Sequence, residues 1–484
     1  MFEWISLIQI PVVIYAINFM IAFAIIFLER KNPSSSLAWI MVLFMLPGVG
    51  IFLYLLISQN ISRQKIFRLS SYEASVIDSA LKDQTQSVQN GEFIFSNCEA
   101  EKWQDMVLLH QRYSRSFYTQ DNSISIFTDG MQKFESLFRE ISEATQSINV
   151  MYFIIKNDKM GKTFINALTE KAREGVEVRL LVDALGGRRL NANALKDFKE
   201  AGGKYAFFFA PKLKFLTMKL NYRNHRKLVI IDGKIGYLGG FNVADEYVGR
   251  SKKFGHWRDT HLRLTGSCVQ DMNARFLLDW RSASKENVLL ASAYFSSVID
   301  EGTSGIQIVS SGPESRRSEI KRGYLKMISS AKKSIYIQTP YFVPDKSIVE
   351  SLKNAIFSGV DVRIMIPNQP DHMFVYWATL ANVGDLLKCG AKIYIYEKGF
   401  LHAKNICADG EVASVGSANF DMRSFYLSFE VNAFIYDGNE VKKLEEIFEK
   451  DMEDSRELTW EMYCKRSLWV KFKESISHLL SDLL

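Results

Sequence analysis

A histidine, a lysine, an aspartate, a glycine and an asparagine recur in one register at two places, and no other feature constrains the fold of this chain as much. His225-x-Lys227-x4-Asp232 is followed by Gly239-Gly240-x-Asn242, and His402-x-Lys404-x4-Asp409 by Gly416-Ser417-x-Asn419. Each matching position is displaced by 177 residues, as His402 is from His225. The duplication runs wider than the motifs. Ser147-Ile148-Asn149-Val150-Met151-Tyr152-Phe153-Ile154 reads as a strand, followed by a helical stretch to Glu174 and a β-branched run over 176–182. Ser334-Ile335-Tyr336-Ile337 repeats the first strand, a helical stretch follows, and Gly359-Val360-Asp361-Val362-Arg363-Ile364 repeats Gly175-Val176-Glu177-Val178-Arg179-Leu180. Strands alternating with helices predict sheets covered by helices, and duplication predicts two such α/β units in tandem. At 484 residues there is chain for two cores and more. The expected units cover 121–300 and 301–464, meeting near the Gly/Ser-rich stretch 301–312, behind a charged, partly helical connector over 63–120.

The spacing within each motif carries chemistry. Residues two apart in a strand point to one face, so each His and its Lys are expected to reach one pocket together. Leu228-Val229-Ile230-Ile231 then continues as a buried strand to the turn Asp232-Gly233, and Asn405-Ile406-Cys407-Ala408 does the same before Asp409-Gly410. The small pairs at 239–240 and 416–417 let backbone approach a ligand, and Asn242 and Asn419 supply amide donors for phosphate oxygens. Two imidazoles, two ammonium groups and two amides converging on one place suit a tetrahedral phosphodiester. One neutral His attacks phosphorus, the other gives a proton to the leaving alkoxide, and the lysines stabilise the equatorial oxygens. No metal or cofactor is expected: neither motif spaces its His with a second ligand, and the adjacent Lys repels a cation. No paired glycosidase carboxylates, Ser-His-Asp set or phosphate-cradling G-x-x-x-x-G-K-[ST] loop is evident, as befits an exchange of one phosphodiester for another.

The N-terminus points to a bilayer. Residues 5–28 and 34–62 hold no charged residue, and each run exceeds the roughly 20 residues a spanning helix needs. A cleaved signal is disfavoured, because Met1-Phe2-Glu3-Trp4 has no Lys or Arg and the apolar run is too long. The expectation is a transmembrane hairpin over 1–62, with Pro47-Gly48-Val49-Gly50 able to break its second arm. Arg63, Lys65 and Arg68 after the second run, against Arg30 and Lys31 between the runs, place the catalytic part in the cytoplasm. Five scattered cysteines without a Cys-x-x-Cys pair agree with a reducing compartment. The formal charge of +6 is a mild basic balance that fits work beside anionic lipid.

The twin motifs resemble those of the phospholipase D superfamily, and within it the match to bacterial cardiolipin synthases is much closer and covers essentially the whole chain. It includes the apolar hairpin with Glu29-Arg30 and Trp39, and Asn224-His225-Arg226-Lys227, Gly239-Gly240-Phe241-Asn242, Trp257-Arg258-Asp259-Thr260-His261, Pro340-Tyr341-Phe342 and Arg423-Ser424-Phe425. The resemblance implies two phospholipase D-like α/β sandwich domains and a phosphatidyl transfer between two phosphatidylglycerol molecules, giving cardiolipin and glycerol. It carries the catalytic roles onto His225, Lys227, Asp232, His402, Lys404 and Asp409. It also implies a downstream carboxylate orienting each imidazole, for which Asp259 and Glu430 are the candidates. Asn405 stands where a hydroxyl residue is more usual, but should point away from the pocket. The unrelated metal-dependent class of cardiolipin synthases carries D-G-x2-A-R, and here Asp409-Gly410-x2-Ala413 continues with Ser414.

Two further segments bear on lipid. Residues 211–221 interleave Lys212, Lys214 and Lys219 with Leu213, Phe215, Leu216, Met218 and Leu220. Residues 465–484 place Leu468, Trp469, Phe472, Ile476, Leu479 and Leu483 at helical spacing beside Lys465, Arg466, Lys471 and Lys473. That amphipathic helix is expected to pack its stripe on the catalytic body first, and to lie on lipid second. Phe374, Tyr376 and Trp377 are candidates to wall water out of the pocket. A hydrolytic phosphodiesterase would use the same histidines with water as acceptor. A nuclease should show a broad basic groove and no apolar hairpin, so nucleic acid is not expected as a partner. An inert membrane scaffold would have no need of two intact motifs. Which histidine attacks, whether other alcohols are accepted, and the oligomeric state are left open by the sequence.

Overall fold

The computed structural model describes residues 2–24, 33–57, 66–67, 69–190, 193–209, 222–286, 288, 302–315 and 317–479. The first unit contributes strands β1 (Thr119–Asp129), β2 (Ser147–Tyr152), β3 (Glu177–Asp183), β4 (Lys204–Phe208), β5 (Arg223–Asn224), β6 (Leu228–Ile231), β7 (Ile235–Gly239) and β8 (His256–Thr265). The second contributes β9 (Ser304–Ser311), β10 (Ser334–Gln338), β11 (Phe342–Val343), β12 (Asp361–Pro367), β13 (Lys392–Tyr396), β14 (Gly399–Leu401), β15 (Asn405–Ala408), β16 (Val412–Gly416), β17 (Phe420–Asp421), β18 (Ser428–Tyr436) and β19 (Ser455–Leu458).

The two sheets share one connectivity. In the first, β4, β3 and β2 run parallel, β6, β7 and β8 follow antiparallel, and β1 closes the row. In the second, β13, β12 and β10 take the parallel places, β15, β16 and β18 the antiparallel ones, and β9 the last, with β19 added on the outer edge. β1 also pairs with β9, joining the rows. The stretch read as a Gly/Ser-rich junction is therefore a central strand. Gly305 is needed there because a Cβ would stand 2.3 Å from Tyr118 Oη, and Ile306 and Ile308 are buried beside it.

Alternation along the strands divides the core into layers. On β6, Leu228 and Ile230 enter a central cluster while Val229 and Ile231 enter the outer cluster of the first unit. The central cluster also takes Met365, Cys407, Val431 and Ala433 from the second unit, together with Phe276 and Trp280 of the helix Cys268–Ser284 and Leu444 and Phe448 of the helix Gly438–Glu453. Burial on both faces explains why these strands read as continuous apolar runs. Buried arginine forks cross the central layer: Arg226 donates to both Asp279 oxygens and to the carbonyls of Glu430 and Ser311, and Arg258 donates to both Asp451 oxygens.

At the N-terminus, helices Phe2–Ala24, Pro33–Met45 and Val49–Ile57 form a small bundle. Trp39 and Tyr54 meet edge to face at 5.4 Å, and Asn18 Nδ2 donates to the Leu43 carbonyl at 2.7 Å. Among the described residues no helix is long and apolar enough to cross a membrane. The second apolar run is broken at Pro47-Gly48 into helices of 13 and 9 residues. These rise only about 20 and 14 Å, against roughly 30 Å of hydrocarbon. The two expected spans are thus not seen as such. Around this bundle Val12, Phe19, Met20, Met41, Met45 and Phe52 are exposed. The basic residues Arg63, Lys65 and Arg68, the charged residues at 29–31 and the Lys-rich segment 211–221 lie outside the described residues. The connector holds the helix Ser71–Gln89, opened by a Ser70/Glu73 capping box and tied to the first unit where Arg281 grips the Glu73 carboxylate.

Candidate active site

The site lies where the two units exchange strands. β5 leaves its own sheet and pairs in parallel with β18 of the second unit, Ser428 opposite Arg223 and Phe429 opposite Asn224. β14 does the converse with β8 of the first unit, Phe400 opposite Trp257 and Leu401 opposite Arg258. Each register is extended by one bond into the motif: His225 N donates to the Phe429 carbonyl at 2.9 Å, and His402 N to the Arg258 carbonyl at 2.7 Å. The next residue on the partner strand is then a carboxylate. His225 Nδ1 lies 3.1 Å from Glu430 Oε1, and His402 Nδ1 lies 2.6 Å from Asp259 Oδ2. Each histidine is oriented by an acid of the other unit. His225 and Lys227 consequently sit in an extended break between β5 and β6, not within one regular strand. The chain changes its pairing partner there, from the second unit to β2.

Both carboxylates are fully buried, and small neighbours make room for them. A Cβ on Gly240 would fall 2.0 Å from Asp259 Oδ1, so glycine clears space for the acid, not for a ligand as the sequence suggested. At the matching place, Ser417 Oγ donates to Glu430 Oε2 at 2.5 Å. The rings are flanked by aromatics: Phe153 at 4.4 Å from His225, and Trp257 at 5.1 Å from His402. Burial, then the adjacent Lys404, lowers the His402 pKa to about 4 despite Asp259. Burial and Lys227 lower that of His225 as well. Burial brings Lys227 down to about 7 and also lowers Lys404. In the substrate-free protein both imidazoles are therefore neutral near pH 7. A carboxylate at Nδ1 holds that proton, so the lone pair is on Nε2.

His225, His402, Lys227, Asn242 and Asn419 line one cavity of about 640 Å³. Asn242 and Asn419 reach it, each with one of its two amide hydrogens engaged. Asn242 Nδ2 donates to Tyr247 Oη and its Oδ1 accepts from Ile154 N, while Asn419 Nδ2 donates to Asp421. Each keeps a second amide hydrogen, so the expected donor role toward the cavity stands. Asp232 and Asp409 are not at the cavity. Asp232 accepts from Thr145 N, Gln146 N and Ser147 N, and Asp409 from Lys332 N, Lys333 N and Ser334 N. They tie the strand end after the motif to the start of β2 or β10, roughly 16 Å of extended chain from the lysines. Both adopt positive φ, 52° and 57°, where the hairpin turns.

Reading the sequence for motifs missed Arg223 and gave Arg423 no place in the site, yet both add cationic side chains to the cavity wall, which also holds Asp421 and Asp371. Arg223 was findable, since it precedes His225 by two in extended chain and shares its side. Phe374, Tyr376 and Trp377 do not line the cavity; Val375 does. Tyr376 and Trp377 pack on the outer core of the second unit, and Phe374 is exposed. Among the described residues no group of three or more His, Cys, Asp or Glu is set to hold a metal ion.

Known proteins resemble this chain over both units. The family model described as cardiolipin synthase, PLD-like domain, matches residues 137–255 and 324–452, once in each unit. A second, phospholipase D-nuclease N-terminal, matches residues 16–59. A cardiolipin synthase of Staphylococcus aureus is 49% identical over 97% of this chain and 95% of its own length. The major cardiolipin synthase of Bacillus subtilis is 49% identical over 97% of this chain and 98% of its own. Among solved structures, a phosphatidylserine synthase of Haemophilus influenzae shares the fold with a TM-score of 0.61 at 13% identity, covering 78% of this chain and 97% of that one.

Proposed function

The chain belongs to the family of cardiolipin synthases with phospholipase D-like domains, and we propose that it transfers a phosphatidyl group from one phosphatidylglycerol to another. It is a phosphatidyltransferase by that membership. Nε2 of one histidine attacks phosphorus, forming a P–N bond as the P–O bond to the glycerol headgroup breaks. The other histidine, protonated when the anionic phosphodiester enters, gives its proton to the departing glycerol. The terminal hydroxyl of a second phosphatidylglycerol then attacks the phosphohistidine. Its proton returns to the second imidazole, the P–N bond breaks, and cardiolipin is released. No electrons are exchanged and no high-energy donor is consumed.

Lys227 and Lys404 stabilise charge on the equatorial oxygens, Asp259 and Glu430 hold the imidazoles, and Asn242 and Asn419 shape the cavity. Asp232 and Asp409 position the motifs from outside it. The observation that carries this reading is the crossed pair of buried carboxylates, which turns both Nε2 atoms toward one cavity. Phosphatidylglycerol and cardiolipin are then the membrane partners. The exposed apolar bundle at the N-terminus supports anchoring of the 1–62 hairpin in the cell membrane, with the units at 121–300 and 301–464 on its cytoplasmic side.

The test is product analysis in liposomes with labelled phosphatidylglycerol. Cardiolipin should exceed phosphatidic acid, added glycerol should drive cardiolipin back, and rapid denaturation in detergent at mildly alkaline pH should trap a phosphatidyl group on His225 or His402, which acid then releases. Predominance of phosphatidic acid throughout would make the protein a hydrolase. Impermeant labelling of a cysteine at Asn32 in intact cells checks the topology, and labelling of catalytic positions instead would reverse it.

A further inference from the structure

The C-terminal helix Leu468–Leu479 is turned inside out. Its buried residues are polar, Glu474 and Ser477, and Glu474 is held by Arg466. Its apolar stripe faces outward: Leu468 is 84% exposed, Trp469 63%, Phe472 54% and Leu479 75%. Spacings of three, four and seven put these four side chains along one side of the helix. The sequence expectation that the stripe packs on the catalytic body is thereby corrected. Residue by residue, the body takes the opposite side.

That helix lies antiparallel on the helix Met373–Cys389. Tyr463, just before it, donates to the Leu380 carbonyl and fills the space above Gly384, whereas Lys473 sits 4.9 Å from the Trp377 ring. The C-terminal end of the stripe therefore runs toward Met373 and Phe374, themselves more than half exposed. Their neighbours Asp371, His372 and Val375 line the catalytic cavity. Exposed apolar side chains thus stand on both of these packed helices, and those at Met373 and Phe374 are next in the chain to cavity-lining residues. Cations accompany them: Lys471 is exposed, and Lys473 lies over Trp469 at 5.4 Å.

We propose that this surface, the stripe of the C-terminal helix together with Met373 and Phe374, docks on an anionic lipid bilayer and presents the cavity mouth to it. The inference rests on the reading that the substrate is a membrane phospholipid. Apolar side chains enter the acyl boundary while the lysines meet phosphate groups, the pattern of an interfacial helix. A lipid then passes from the leaflet into the cavity along the surface that holds the enzyme there.

The test uses the full chain in vesicles of phosphatidylglycerol and phosphatidylcholine. Cys98 and Cys464, the exposed thiols among the described residues, are replaced by serine, and Phe472→Cys carries an environment-sensitive fluorophore. Quenching by lipids brominated on their acyl chains, with protection from aqueous iodide, is expected. A fluorophore open to iodide and untouched by the lipid quencher overturns the proposal. So does efficient disulfide cross-linking of unlabelled Phe472→Cys between two chains, which would make a second copy the occupant. In a second arm, Trp469→Glu with Phe472→Glu should lower cardiolipin formation from vesicle lipid at least tenfold. The same variant should keep wild-type rates on short-chain phosphatidylglycerol dispersed in detergent. An equal loss on both substrates would mean a structural role and overturn docking. If wild type makes no cardiolipin from either substrate, the reaction assignment fails, while the quenching result still decides docking.

Discussion

The two histidine stations are built alike and tuned differently. His225 faces the longer Glu430 at 3.1 Å and its side chain is 22% exposed; His402 faces the shorter Asp259 at 2.6 Å and is 13% exposed. The acid and its neighbour trade size. Asp259 stands over Gly240 and its Oδ1 accepts from Thr260 N at 2.8 Å, while Glu430 Oε2 accepts from the Ser417 hydroxyl. Each carboxylate thus gives one oxygen to a neighbour, and the stations differ chiefly in reach, 2.6 Å at His402 against 3.1 Å at His225. Duplication therefore supplies two equal chemical sets, and small differences in reach and hydrogen bonding make them unequal. An acid and a nucleophile at one phosphorus require such inequality.

The comparison can be broken first at the rings. His225→Ala and His402→Ala should each cost roughly 10³-fold or more in kcat, measured as cardiolipin formed at saturating lipid. Near-wild-type turnover by either variant would show that one station suffices. Next come the crossed acids. Asp259→Asn should lower kcat by roughly 10²-fold or more, since the amide no longer holds the Nδ1 proton, and Glu430→Gln by about tenfold less. Equal effects would erase the difference drawn from the 2.6 and 3.1 Å contacts.

The lysines sharpen the comparison through pH. With Lys227 at about 7, kcat/KM should fall as pH rises through that value and the ammonium is lost. Lys227→Arg keeps its charge, so it should move that limb upward by more than one pH unit. A limb unchanged in the variant would assign it to another group. The smallest effect is expected at the motif aspartates. Asp232→Asn tolerates the positive φ and retains the shape, losing only charge-assisted bonds to three backbone N–H groups. Those N–H groups, against the opposing cost of burial, hold the Asp232 carboxyl below its ordinary pKa. Its contribution is therefore present above about pH 4 and lost as pH falls through the depressed value. At neutral pH the variant should unfold about 1–2 kcal/mol more easily in urea, with turnover per folded molecule nearly unchanged. A large kcat loss without a stability change would return Asp232 to the catalytic set.

Much of this protein was determined by its sequence alone. The register of the motifs specified the tandem α/β units, because side-chain alternation and the strand-helix order are local properties that a repeat displays twice. The histidines and lysines were legible for the same reason, whereas the family resemblance alone proposed Asp259 and Glu430 as acids, each awaiting an imidazole partner. Tertiary structure alone decided who that partner is. Asp259 precedes His402 by 143 residues and Glu430 follows His225 by 205, and no periodicity links them. Only the exchange of β5 and β14 between units brings them together. It also decided that Asp232 and Asp409 turn away, since a strand that starts in the cavity has left it four residues on. The last helix makes the same point from outside. Its spacing predicted a stripe, but which side meets the body depends on the surface that the helix Met373–Cys389 offers, and that surface is assembled only in the folded chain.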